Sequence, residues 1–230
     1  MMSFKIKTTV LAASLMAMMS MQAQAGIIIS EVNAAGSSAT YAADWFELTN
    51  TGSSTVNISG WKIDDNSNAF SSAVALRGVT SIAAGQSVVF LEGNASGSND
   101  AAIDASFISA WFGANPPAGL TIGNYGGSGV GLSSTSDAVN IFNGSGTLIT
   151  RVDFGATTAG FTFDNAAGLN NTVLTQNSAI GVHGAFLSAN GVEVGSPGAI
   201  AAVPEPDTLA MLLAGLGLVG FTVRRKQKSA

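Results

Sequence analysis

The chain has no cysteine and one histidine, His183, and only 10% of its residues are charged. Without cysteine there can be no disulfide, no thiol nucleophile and no Cys-based zinc site, so any exported domain must be held by buried apolar surface. One imidazole also leaves no basis for a histidine-built metal centre. Basic residues are scarce: two of the nine, Lys5 and Lys7, lie near the start, and four (Arg224, Arg225, Lys226 and Lys228) near the end. Residues 26–203 therefore carry three basic against twelve acidic residues, a net charge of −9. Such a surface repels nucleic acid, whose non-specific affinity comes from Lys and Arg meeting phosphate. It suits solubility, cations or neutral polymers.

What the sequence does contain is apolar residues (47%) and 28 glycines in a chain of 230 residues. That is too apolar for a disordered protein, and many short Val-, Thr- and Ser-rich runs between Gly turns suggest an all-β domain. The first residues, "MMSFKIKTTVLAASLMAMMSMQAQAG", have a basic start, an apolar stretch from Val10 to Met21 and the small-x-small triplet Ala23-Gln24-Ala25. They read as a signal peptide over 1–25, cleaved between Ala25 and Gly26.

The other end mirrors this. Thr208–Val223 is a stretch of sixteen residues without a charge, about 24 Å as a helix against a hydrocarbon core of about 30 Å. The basic run after it would hold the end of the chain in the cytoplasm, so the segment reads as a stop-transfer helix. Val203-Pro204-Glu205-Pro206, the apolar segment and the stop Arg224-Arg225-Lys226 together resemble the PEP-CTERM sorting signal of Gram-negative bacteria. The resemblance implies transient handling by exosortase, a membrane protease-transpeptidase, removal of the tail and delivery to the cell surface. It also brings an association with exopolysaccharide. A plain single-pass anchor is the alternative.

Between these ends, "GIIISEVN" would place Ile27, Ile29 and Val32 inward and Glu31 and Asn33 outward. "DWFELTNTGSSTVNISGWKIDD" reads as two strands, one with Trp45, Phe46 and Leu48 and one with Val56, Ile58 and Trp61, joined by a turn at Asn50–Ser53. Ser87–Leu91 is a further strand, and Ala138–Phe142 with Thr147–Phe154 a hairpin. Ile103, Phe107 and Trp111, at four-residue steps within 98–113, predict one short amphipathic helix with its stripe in the core, capped by Ser98 or Asn99. "ISEVN", "DWFELTNTGSSTVNISGWKIDD", "IAAGQSVVF", "GVGLSSTSDAVNIFNGSGTLITRVDF" and "GSPGAI" resemble the bacterial lamin tail domain from about Ile27 to Ile200. The resemblance implies an immunoglobulin-like β-sandwich over 26–200, with 94–123 and 166–190 as insertions. A linker over 201–207, the membrane helix over 208–223 and a basic tail over 224–230 would complete the chain.

Chemistry is hard to find. "GGSGVG" lacks the glycine a nucleophile elbow needs after Ser128, which leaves His183 as a loop residue. "NYGGSGVGLSS" has no lysine and reads as a flexible connection rather than a phosphate loop. Asp64, Asp65, Asn66 and Asn68 cluster oxygens that would suit calcium, although Ala69 replaces the EF-hand glycine and a polar turn explains them equally. Glu31 and Glu47 fall on neighbouring strands and would serve glycoside hydrolysis if exposed at the right separation; solvent-facing strand carboxylates are the commoner case. Tyr41, Trp45 and Trp61 offer a sugar-stacking platform only if they are exposed. The expectation is a non-enzymatic exported surface or matrix protein that contacts exopolysaccharide or other surface proteins, without a required cofactor. A secreted polymer hydrolase and a membrane-anchored periplasmic binding domain are the rivals.

Overall fold

The computed structural model describes residues 26–165 and 172–198. The leader 1–25, the motif at 203–206, the segment 208–223 and the basic run at 224–226 lie outside the described residues. Among those described, no helix is long and apolar enough to cross a membrane.

Two five-stranded sheets face each other, an arrangement consistent with an immunoglobulin-like sandwich. The first has the order β11 (Phe163–Asp164), β1 (Ile27–Asn33), β2 (Trp45–Asn50), β7 (Ser87–Gly93) and β8 (Ile122–Gly126). The second runs β12 (Val173–Leu174), β10 (Leu148–Phe154), β9 (Asp137–Phe142), β4 (Lys62–Asp64) and β5 (Val74–Ala75). Two small ribbons flank them: β3 (Val56–Asn57) with β6 (Ser81–Ile82), and β13 (Phe186–Leu187) with β14 (Val194–Gly195).

The core between the sheets gathers Ile29, Phe46, Leu48, Ile63, Phe90, Val139, Ile141 and Val152, each with 0% exposure. Phe46 stacks on Phe90 with ring centroids 5.5 Å apart. Ile27 and Ile29 are two residues apart but Val32 is three beyond Ile29, so strict alternation cannot bring all three to one face. A bulge resolves the parity: the β1–β2 register shifts between Ile29 and Glu31, and all three enter the core.

The other face of the first sheet is also covered. β7 and β8 run parallel, and parallel neighbours need a crossover. Helix α1 (Asp100–Phe112) lies in that crossover, with Phe107 and Trp111 packed on Trp45, Val89 and Leu91. The four-residue stripe thus does what its spacing predicts. Its first turn is fastened by Arg77, which donates through Nε and Nη2 to the Asp100 carboxylate at 2.6 and 2.8 Å. Asn99 does not cap through its side chain; its Oδ1 accepts the Asn94 N–H instead. With both faces covered, β1 and β2 are buried along their whole length.

Two expectations need correction. β2 does not turn back on a Val56–Trp61 strand. Its partners are β1 and β7, and the anticipated strand breaks at Ser59-Gly60, where Gly60 takes φ 76°. Val56 and Asn57 then pair with β6, while Lys62–Asp64 joins the opposite sheet. "NYGGSGVGLSS" is no loose connection either: Asn124–Gly126 belongs to β8, and Tyr125, Val130 and Leu132 are core residues. Phe46→Ala should cost about 3–5 kcal/mol of unfolding free energy, against less than about 0.5 kcal/mol for the exposed Leu148→Ala. Denaturant titration of both variants checks this, and equal losses would contradict the packing described.

Candidate functional site

The outer face of the first sheet carries a polar seam as well as the α1 cluster. Glu31 and Glu47 stand directly opposite each other across β1 and β2, and each is 1% exposed. The expectation of solvent-facing strand carboxylates is overturned: they do point away from the sandwich core, but that face is roofed by Thr162, Ser178, Ser196 and Gly198. No ion pair reaches either of them among the described residues. Hydroxyls and backbone N–H groups serve instead.

Glu31 Oε1 accepts from the Thr162 hydroxyl and, at 2.8 Å, from the Ser196 N–H, while Oε2 accepts from the Ser196 hydroxyl at 3.1 Å. Glu47 Oε1 accepts from Ser30 Oγ at 2.7 Å and its Oε2 from the Gly198 N–H at 2.6 Å. Ser30, the bulge residue, in turn accepts from Thr49 Oγ1 at 2.8 Å. A methyl group on Gly195 would meet Glu31 Oε1 at 2.6 Å and Trp111 at 2.9 Å, so only glycine lets the backbone run this close.

Further along the same strand, Asn33 Nδ2 and the Tyr41 hydroxyl donate to Glu193 Oε1 at 2.9 and 2.7 Å, and Trp45 Nε1 donates to the Tyr41 oxygen at 3.2 Å. Beside its pairing with β11, strand β1 therefore holds residues 193–196 through two side chains, Glu31 and Asn33.

Burial is the largest influence on these acids. It pushes the Glu31 carboxyl above the ordinary glutamate range, against the opposing pull of the Thr162 and Ser196 donors. It raises Glu47 as well, and the neighbouring Glu31 charge adds to the effect. Glu193 is raised by burial too, with its Tyr41 and Asn33 bonds working the other way. A roofed carboxylate pair with internal donors on its oxygens holds a chain segment in place; it does not present an acid and a base to a polymer.

The other sequence candidates separate. Tyr41, Trp45 and Trp61 are 2%, 0% and 8% exposed, which removes the stacking platform. His183 sits in a turn at φ 47°, with Nδ1 2.7 Å from Asp164 Oδ2. Asp64 is fully buried, and its carboxylate accepts from Ser67 Oγ, the Ala69 N–H and Ser72 Oγ. Asp65 accepts the Ser67 N–H and its carbonyl takes the Asn140 amide, while the Asn66 N–H is spent on Asp137. Asn68 is exposed at φ 51°. Those bonds are the chemistry of a polar turn, and no group of three or more His, Cys, Asp or Glu suited to a metal occurs among the described residues. Thr162, Glu193, Ser196 and Gly198 were not anticipated, since single hydroxyls and glycines in a Ser- and Gly-rich stretch carry no periodic signal.

Comparison with known families gives two matches. A model described as the Lamin Tail Domain matches residues 20–156, and one for the PEP-CTERM protein-sorting motif matches residues 202–226. The first ends just after β10, short of the Ile200 reached by the sequence resemblance, so the donors from Thr162, Ser196 and Gly198 lie beyond it. No curated protein matches the chain.

Because both seam carboxyls titrate above their unfolded value, the folded state holds protons that the unfolded chain releases above about pH 4.3. Stability is thus fullest below that pH and falls as pH rises through the folded values, with a slope approaching about 1.4 kcal/mol per pH unit per proton. Melting temperature should drop from pH 5 to pH 8. Glu47→Gln should flatten that slope, and an unchanged slope would show that the pair does not hold its protons. Gly195→Ala should destabilise at either pH by about 1–3 kcal/mol.

Proposed function

The chain belongs to the lamin tail domain family, and from that premise we propose that it is an exported, non-catalytic interaction module of the cell surface or extracellular matrix. The observation that carries this reading is the sorting motif at 202–226, placed directly after the β-domain. Residues 1–25 act as the export leader, 26–200 as the working domain and 201–207 as the linker that bears Val203-Pro204-Glu205-Pro206. Residues 208–223 pause the chain in the inner membrane, with the basic residues from Arg224 on the cytoplasmic side. Exosortase then acts at the motif, and the domain continues to the surface.

The structure supports this reading with the C-terminal anchoring. Gly198, the last described residue, is tied to Glu47, five residues before Val203. Sheet, core and cover are complete ahead of the motif, so removing everything beyond it costs the domain none of the contacts described above. The acidity of residues 26–203 suits a partner that is neutral or cationic, and the proposed partners are exopolysaccharide or other surface proteins.

Intact-mass and C-terminal peptide mass spectrometry on protein recovered from the native surface and medium tests the sorting. The expected form begins at Gly26, ends near Val203–Pro206 and lacks the Arg-Lys tail. Glu205→Ala should trap the longer form. Wild-type protein that keeps Thr208–Ala230 at the surface would replace sorting with plain membrane tethering.

A further inference from the structure

The two seam carboxyls belong to a longer row. Asp164 on β11, Glu31 on β1 and Glu47 on β2 are successive cross-strand partners. Opposite partners project to one face with Cβ atoms about 5 Å apart, so three acids line up across the outer side of the first sheet, all of them buried. The Lys and Arg residues of 26–203 are engaged elsewhere: Arg77 on Asp100, Arg151 on Asp153 and Lys62 over the Phe70 ring. At the Asp164 end stands His183, which is charged only when protonated.

The last residues of the cover are hydrogen-bonded to this row alone. Backbone pairing carries the cover as far as Gly195, opposite Phe186, and the Val194 N–H donates to the Gly160 carbonyl at 2.8 Å. Beyond that point, among the described residues, every hydrogen bond of Ser196 and Gly198 ends on Glu31 or Glu47. Pro197 has no N–H to give. Upstream, Glu193 is tied separately to Asn33 and Tyr41, beside an open cleft of about 380 Å³ that Phe161 and Val192 also line.

A carboxyl pair shut from water with no cation beside it resists ionising, because burial and mutual repulsion both favour the protonated form. Lifting residues 196–198 would admit water, which hydrates the acids and screens one from the other. The closed form therefore holds protons that the lifted form releases, and raising the pH favours lifting. The remaining groups around the pair do not oppose this. The Ser30, Ser87, Thr162 and Ser178 hydroxyls are neutral throughout, and Asp164 adds negative charge next to Glu31. Glu193, further along the segment, is an acid raised by burial as well. We propose that residues 196–198 are a pH-operated latch, closed on Glu31 and Glu47 while the pair holds protons and released when it ionises. Release moves the last tie ahead of Val203 from Gly198 back to Gly195, which adds roughly 10 Å of extended chain to the tether of the sorting motif. The latch stands on the geometry of the row and does not require the sorting reading.

Amide hydrogen exchange of the full-length, isotope-labelled chain in zwitterionic detergent, resolved by NMR, tests the latch. Protection factors are corrected for the pH dependence of the intrinsic exchange rate. Between pH 5.5 and pH 8, Ser196 and Gly198 should lose at least about tenfold in protection, the change for one proton released over one pH unit. Amides of the β9–β10 hairpin should keep theirs. The double variant Glu31→Gln/Glu47→Gln is uncharged at every pH and can accept from the same donors, so it should hold the latch shut across the range. A melting curve shows whether that variant folds; if it does not, Glu47→Gln alone should shrink the pH response. Protection at Ser196 and Gly198 that ignores pH, an equal loss in the hairpin, or a full response in the Gln variants would each overturn the latch. Retention of the tail on protein from the native surface would count against sorting and leave the latch standing.

Discussion

Two carboxyl groups face each other across β1 and β2 with no basic residue to neutralise them, and the position of the C-terminal segment is a consequence of that constraint. An apolar cover over Glu31 and Glu47 would leave their oxygens without donors, at a cost no sandwich of this size tolerates well. A cover made of Thr162, Ser196 and the Gly198 backbone supplies donors from a segment that has little helix or strand preference of its own. The acids hold the segment, and the segment keeps water from the acids.

The seam works because the first sheet is buried on both faces. The sandwich core takes Phe46, Leu48 and Phe90; α1, drawn over the outside by the parallel β7–β8 connection, takes Trp45, Val89 and Leu91. Hydrophobic burial on two sides replaces the disulfides that the chain cannot form. Because α1 covers only part of the outer face, the rest falls to residues beyond the lamin tail match. The polar cover therefore comes from residues beyond the matched 20–156, and the cleft opens where that cover meets the turn after β1.

The arrangement suits a domain whose downstream segment is processed. Anchoring through backbone N–H groups at Ser196 and Gly198 does not depend on the identity of the residues C-terminal to them, so cleavage near the motif need not loosen the fold. It also places the cleft wall, through Glu193, on the anchored segment.

Much of this was legible in the residues. Alternation marked β1, β2, β7 and the β9–β10 hairpin, and four-residue spacing marked α1, because those signals reside within ten or so consecutive side chains. The pairing of Glu31 with Glu47 came from adjacent strands, and the sorting motif from the order of its parts. The burial of that pair was invisible, since the atoms that roof it come from residues more than 110 positions away and are hydroxyls, glycines and backbone amides with no pattern to read. The failed Asn50–Ser53 hairpin has the same origin: local turn chemistry was sound, but Gly60 allowed the chain to cross to the opposite sheet, where Lys62–Asp64 found β9. The sequence by itself determined β1, β2, β7, the β9–β10 hairpin, the helix and the sorting motif at the end of the chain, because short-range periodicity and motif order encode them. Only the tertiary structure decided which polar groups would be shut away from water, because burial depends on what distant chain segments cover.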